Sequence, residues 1–524
     1  MKFLFVLQYP GYTRYFDSVI RLLIDRGHEV AVSYDSPEKQ AEGNEAFVGV
    51  PVNMIGETAE RNTVWAAVGR AVRGTIDYVR YLDPRFADTP YLRDRMRKAL
   101  PPIAKPLGRY DTLSLKTTNA LLTMLHACER AIPSSREIER FLKKQRPDVV
   151  VVSPLVTDQS TQVDIVKSAK RLGIPNALCV ASWDHLTTKG LVRLPPELIT
   201  VWNPQQRDEA VAYHRVSADR VVVTGAPPFD RWFDRTPRRT REEFCREVGL
   251  RSDQPFILFV GSTKSISRPD AEQVFVRQWL AKLRAELANR RLEAGILVRP
   301  HPFNSRHWLQ ADLSDLENVA LYPRHESNPV NERDREDYFD SLYHSAAVVG
   351  INTSAMIEAA IVGRTVHTVL DPAFTHTQEG TLHFRYLLPS NGGFLRVANS
   401  LDEHVMQLAE TLSDPSASRA ELDAFVRSFV RPLGVTQAAT PLLADALEAL
   451  PRAARERSTV PMALYPVTAV LCFAGAVAVY RHPRQIQKSL KVALHRWRKR
   501  RAKAADRRRR GDSTEPSNPT IHER

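Results

Sequence analysis

The residues of this sequence best suited to act together on a small molecule lie between Ser345 and Leu370, in SAAVVGINTSAMIEAAIVGRTVHTVL. An apolar run, Ala346 to Val349, gives way to Gly350-Ile-Asn-Thr-Ser354. An alanine-rich stretch follows as far as Gly363, and then a β-branched run, Thr365 to Leu370. The pattern predicts strand, tight loop, short helix and strand. Thr353 and Ser354 are favourable helix openers, and the free N–H groups and positive dipole end behind them suit an anion such as a phosphate. Glu358 lies one turn on, on the face of Ser354. A carboxylate there meets a phosphate badly and accepts well from sugar hydroxyls. Gly363 fits a left-handed helix end. Capping alone also explains Thr or Ser at a helix start, so context decides what the stretch is for.

That context is a chain of alternating strands and helices. Lys2 to Leu7 reads as a buried strand, Gln8 to Thr13 as a loop carrying Tyr9 and Gly11, Arg14 to Arg26 as a helix stopped by Gly27, and His28 to Ser33 as the next strand. Such an opening starts a parallel sheet whose first loop lies on the ligand-binding edge, and the absence of GxGxxG argues against a dinucleotide site. From about residue 61 to 145 the pattern turns helical. Trp65, Val68, Val72, Ile76 and Val79 form one apolar stripe and Leu121, Leu122 and Leu125 another, expected as core, with a membrane or acceptor surface as the other reading. Strands return at Val149 to Val152, Asn176 to Val180, Leu198 to Val201 and Arg220 to Val223. Pro227, Pro228 and the charged run Arg235 to Arg246 read as a linker. A second alternating series runs from Phe256 through the strand Gly295 to Val298, and then to helices ending at Leu450.

The expected fold is therefore α/β: two doubly wound domains, 1–230 with the helical insertion and 255–450, joined by 231–254. The 524-residue length asks for more than one core. Four scattered cysteines without CxxC spacing indicate neither a disulfide framework nor a zinc cluster. The net charge is +14, but residues 481–524 hold 15 Lys and Arg against 4 acids. The body is nearly neutral, which argues against nucleic acid as partner and for a basic disordered tail, 481–524, that either meets an anionic membrane surface or is simply solvated. Met462 to Tyr480 is uncharged and about long enough to span a bilayer. With no export signal on the body, an interfacial anchor bent at Pro466 is preferred to a crossing, placing the protein on the cytoplasmic side of a bacterial membrane.

Five stretches, KFLFVLQYPG, VVVTGAPPFD, FVGST, VRPHP and DSLYHSAAVVGINTSAMIEAAIVGRTV, occur in an order that resembles GT-B glycosyltransferases. Within these, the resemblance is to the branch of CDP-glycerol glycerophosphotransferases that build cell-surface polymers. It implies a donor-phosphate site at Gly261, Ser262, Thr263, Arg299, Asn352, Thr353 and Ser354, with His301 beside it, and an acidic residue on the donor ribose at Glu358. ASWDHLTTKG lies near that branch's Trp-His-Gly, with Asp184 inserted and the following glycine lost. The chemistry needs a base for an acceptor hydroxyl and positive charge for a leaving phosphate. Asp184 or His185 are candidates for the first, Arg299, His301 and the helix start at Thr353 for the second. A capping aspartate and a turn histidine are the plain alternatives. Tyr9, Gly11 and Lys189 fall on acceptor-side loops. The expected partners are a nucleotide-sugar or CDP-glycerol-type donor and a glycan or lipid-linked acceptor, with no metal or other cofactor. A nucleotide-sugar 2-epimerase and a catalytically silent scaffold of the same architecture are the other expectations.

Overall fold

Seven parallel strands build the first sheet, in the order β3-β2-β1-β4-β5-β6-β7. They are β1 (Lys2–Leu7), β2 (Glu29–Tyr34), β3 (Asn53–Glu57), β4 (Val149–Ser153), β5 (Asn176–Cys179), β6 (Leu198–Val201) and β7 (Val221–Val223). Six more build the second, in the order β10-β9-β8-β11-β12-β13, also parallel: β8 (Phe256–Val260), β9 (Gly295–Arg299), β10 (Val319–Leu321), β11 (Ala347–Gly350), β12 (Val366–Val369) and β13 (Arg396–Ala398). The computed structural model describes residues 1–36, 46–158, 160–313, 315–325, 329, 331–450 and 459–481. The basic stretch beyond 481 lies outside the described residues.

Central strands such as VVVVS and FILFV are buried along their whole length because helices cover both faces of each sheet. The strand order reverses between β1 and β4 in one sheet and between β8 and β11 in the other. Loops leaving these strands diverge to opposite faces and open a crevice at each switch point. The two crevices face each other, so the loops after β1, β8, β9 and β11 meet in one cleft. This is the GT-B architecture.

Three edge strands, β3, β10 and β13, have weak or broken alternation, and the sequence reading passes over them. The first helix starts later than expected, at α1 (Asp17–Asp25), because Pro10 to Tyr15 forms a tight 3-10 turn instead. The charged run read as linker is in part a helix of the second domain. Arg241–Val248 opens on a Thr240/Glu243 capping box and buries Phe244 and Val248, while Arg239 pairs with Asp340 (2.8 Å) and Asp337 (2.6 Å).

The insertion comprises α2 (Val64–Arg80), Pro90–Lys98, α3 (Leu115–Ala131) and Arg136–Gln145. Its apolar stripes form core, with Val68, Val72, Ile76 and Val79 packed on Leu122. It is tied to α4 (Gln162–Leu172) of the first domain by a buried charge network. Arg73 pairs with Glu129 (3.0 Å) and Asp164 (2.9 Å), Arg61 with Asp164 (3.0 Å) and Lys167 with Glu129 (2.8 Å).

The chain crosses between domains twice, at 224–231 and 429–440. Gly225, at φ +81°, sits where a Cβ would come 2.9 Å from that of Ala439. Asp230 accepts from the N–H groups of Ala439 (3.0 Å) and Thr440 (2.6 Å) and pairs with Arg431 (3.1 Å). The return crossing delivers α6 (Ala439–Ala449), read from sequence as part of the second domain, onto α1 of the first. There Leu443 and Leu447 join Val19 and Leu23; α5 (Ala355–Ile361) is the short helix behind β11.

The last described helix is α7 (Tyr465–Arg481). Pro466 falls in its first turn, where a missing N–H costs nothing, so it does not bend the helix there. One face of α7 packs on α2 and α3. Among the described residues no helix is long and apolar enough to cross a membrane.

Candidate functional site

The cleft is walled by four arginines brought from four places. Arg14 comes from the turn after β1, Arg231 from the first crossing, Arg299 from the end of β9 and Arg335 from the helix Glu332–Tyr343. Gly261 allows the loops after β8 and β9 to touch, since a Cβ there would lie 2.8 Å from the His301 N–H nitrogen. His301, Thr353, Ser354 and Glu358 complete the wall.

The charges do not cancel. Arg299 is buried, donates to Ser341 Oγ (3.1 Å) and lies 4.8 Å from the centre of the Tyr338 ring. Burial lowers its pKa, a tendency the neighbouring Tyr338, Tyr322, Asp337 and Asp334 oppose, and among the described residues no carboxylate comes into ion-pair contact with it. Arg231 and Arg335 both pair with Asp17, and Arg335 has Glu332 at 3.9 Å as well. Arg231 donates to Oδ1, and Arg335 Nη2 is 2.8 Å from Oδ2, an ion pair without an aligned N–H. Glu358 is half-buried and takes a short hydrogen bond from the Tyr338 hydroxyl. Desolvation pushes its carboxyl up to about 7, against Tyr338, Arg14, Arg231 and Arg299. Near neutral pH the site keeps a surplus of positive charge in a setting that strengthens its pull on an anion.

His301 accepts the Phe303 N–H at Nδ1 (3.2 Å), which leaves Nε2 as the donor of the ring. Burial, with Arg14 nearby, lowers its pKa to about 3, so it is neutral. At the helix start the Ala355 N–H donates to Thr353 Oγ1 (3.4 Å) and the next three N–H groups bond the Thr353 and Ser354 carbonyls, so what this end offers the cleft is its dipole rather than free N–H groups.

A second cluster adjoins the cleft through Ser182, which lines it and donates to Asp184 Oδ1 (2.5 Å). Asp184 also has Lys189 Nζ at 3.6 Å and accepts from Thr188 (2.9 Å). Burial would raise its pKa, but Lys189, His185, His383 and Ser182 outweigh that and hold it well below the usual carboxylate range. His185 stacks on Tyr12, with Nε2 3.4 Å from the hydroxyl, and its Nδ1 has no hydrogen-bond partner among the described residues. His383 comes from the second domain, edge-on to Trp183 at 4.6 Å, and among the described residues its Nδ1 likewise has no hydrogen-bond partner. Burial lowers both histidines to about 4.

The structure thus brings Gly261, Arg299, His301, Thr353, Ser354 and Glu358 to one cleft and sets Asp184, His185 and Lys189 beside it. It directs other expected residues elsewhere. Asn352 is buried, donating to the Thr377 carbonyl and lying 3.4 Å from His383 Nε2, so its side chain is committed to the protein. Ser262 is buried under its loop, its N–H given to Glu272 (2.8 Å), and Thr263 bonds Ser265 (2.7 Å). Tyr9 and Gly11 sit in the turn behind Arg14 and Tyr15, which reach the cleft in their place. The sequence reading misses Arg14, Arg231, Arg335, Tyr338 and His383. RYF and FDRWF hold a weak signal, an arginine beside aromatics at a strand end or domain crossing, but single arginines are too common to choose among. Among the described residues no group of three or more His, Cys, Asp or Glu could hold a metal ion.

No family model matches the chain, and no curated protein matches it in sequence. Among solved structures, S. aureus MnaA with UDP aligns over 86% of this chain and 96% of its own, at 12% identity and TM-score 0.48. UDP-GlcNAc 2-epimerase from Neisseria meningitidis, bound to UDP-GlcNAc, covers 86% and 100%, at 12% and 0.47. The wall teichoic acid polymerase TagF covers 86% and 89%, at 11% and 0.43. The strand order and the facing clefts of the chain itself make it a GT-B-like protein of two doubly wound domains.

Proposed function

We propose that the protein is a transferase that moves a glycosyl or glycerophosphoryl group from a nucleotide-activated donor to a hydroxyl of a glycan or polyol-phosphate acceptor. The observation that supports this reading is Arg299, a buried guanidinium that forms no ion pair with a carboxylate among the described residues, in a cleft whose described residues carry surplus positive charge. A buried cation of this kind is costly unless an anion joins it, and a diphosphate supplies one.

In the reaction the acceptor oxygen forms a bond to the transferred carbon or phosphorus. The bond to the donor phosphate oxygen breaks, and the leaving nucleotide takes the electron pair. Arg299, with Arg14, Arg231 and Arg335, offsets the charge that develops there, and His301 donates through Nε2. Glu358 faces the donor ribose. The acceptor proton goes to the Asp184–His185 pair: Asp184 is ionised and fixed by Ser182 and Lys189, and His185 is neutral and able to take a proton.

The test is thermal stabilisation by CMP, UDP, GDP, CDP-glycerol and common nucleotide sugars. A ligand at a hundred times its Kd adds about 2.7 kcal/mol. Stabilisation by one nucleotide class that is lost in Arg299→Met supports the reading; no stabilisation of a cooperatively folded protein overturns it. Asp184→Asn should then cut transfer by about 10²–10⁴ without loss of nucleotide binding. Epimerised donor in place of transfer would favour the epimerase, and binding without turnover the scaffold.

A further inference from the structure

The helix α7 has two unlike faces. Thr468, Leu471 and Gly475 recur at helical spacing on one. Thr468 Oγ1 donates to the Ala131 carbonyl (2.8 Å), Leu471 packs with the Val68 and Leu122 cluster, and Gly475 sits so close to Val64 and Val68 that a Cβ would clash. The other face carries Tyr465, Val470 and Phe473, exposed by 56%, 67% and 73%, with Met462 exposed in the turn before it and Cys472 beside Phe473. No charged residue occurs from Met462 to Tyr480. Apolar surface this continuous is rarely left to water.

We propose that this face of α7 lies on an anionic lipid bilayer as an interfacial helix, with the basic stretch 482–524 held at the same surface. Charge argues for this occupant, since the residues from 481 on carry 15 Lys and Arg against 4 acids. Packing argues for lying over crossing. A crossing would strip α7 from α2 and expose Val64 and Val68, whereas an interfacial position keeps that contact and covers Phe473. The helix α2 carries the consequence inward. Its first turns touch α7, and at its far end Arg80 donates to the carbonyls of Lys189 (3.0 Å) and Gly190 (3.2 Å), so the lipid surface lies about one helix length from the Asp184 loop.

The experiment uses the full chain with Cys128→Ser, labelled at Cys472 with acrylodan, and vesicles of phosphatidylcholine alone or mixed equally with phosphatidylglycerol, at near-physiological salt. Cosedimentation with the mixed vesicles, a blue shift of the label, and about tenfold weaker partitioning of the unlabelled Val470→Glu/Phe473→Glu variant at unchanged melting temperature are expected. The proposal is overturned by absence of vesicle binding. It is equally overturned by binding without a blue shift that ignores the double substitution, which would assign the contact to the basic stretch alone. Exposure of a label at position 472 to a quencher enclosed in the vesicle, the mark of a crossing helix, also rejects it.

Discussion

Arg335 Nη2 lies 2.8 Å from Asp17 Oδ2, and through this pair the second domain grips the first across the rim of the cleft. Asp17 is nearly fully buried and also accepts from Arg231, at the crossing between the domains. One buried carboxylate therefore meets two guanidiniums, with the more exposed Glu332 at 3.9 Å from Arg335 the further acid at this pair. Asp17→Asn should lower stability to denaturant by about 2–3 kcal/mol, below the full penalty of a broken buried pair because both arginines keep some contact with water. Added pyrophosphate should restore more stability to the variant than it adds to the wild type. An equal increment in both would show that these arginines do not face the anion.

Arg299 separates binding from stability. Its positive charge is buried and forms no ion pair with a carboxylate among the described residues, so Arg299→Met should leave the melting temperature unchanged or raise it. Loss of its charge-assisted contacts should weaken nucleotide binding by about 10- to 100-fold. Calorimetric titration and a melting curve on the same preparation check both halves. A large drop in melting temperature would instead make Arg299 a structural residue.

Glu358 gives the cleft a pH dependence. Its carboxyl is pushed up to about 7 by desolvation, so the protonated form is favoured in the folded protein. Its contribution to stability is full below the unfolded value near 4.5 and is lost as pH rises through about 7. Ionisation also sets a negative charge among Arg14, Arg231 and Arg299, so nucleotide affinity should fall by a few-fold between about pH 6 and pH 8. Glu358→Gln should flatten that profile. On the acid side, His185 and His383, lowered to about 4, contribute stability that is present above about 6.5 and lost as pH falls toward 4.

Asp164 holds Arg61 and Arg73 where the insertion meets the first domain. Asp164→Ala leaves two buried guanidiniums short of an acid and should cost about 3–5 kcal/mol. Hydrogen exchange should rise first in α2 and α3, while nucleotide binding at the cleft, built from other elements, survives. Exchange rising equally in the second domain would show the insertion to be no separate unit.

The sequence alone determined the α/β alternation, the two sheets and the segments that reach the cleft edge. These are local properties: β-branched runs bury both faces of a parallel strand, and Gly27 and Gly363 stop helices whatever surrounds them. Arg299, His301, Thr353, Ser354 and Glu358 were legible for the same reason, since each follows a strong strand or opens a helix at a sheet edge. Tertiary structure decided the rest. Arg14, Arg231 and Arg335 are far apart in sequence, and no local pattern marks which of many arginines a domain crossing turns inward. His383 meets Asp184 only because the domains face each other, and Asn352, well placed by sequence, is taken by the Thr377 carbonyl. The helix α6 belongs to the first domain because Asp230 and Gly225 fix the return crossing, and α7 lies on α2 through the close approach at Gly475. Contacts between remote segments depend on which surfaces remain free after each domain has packed, and that is settled only in the folded chain.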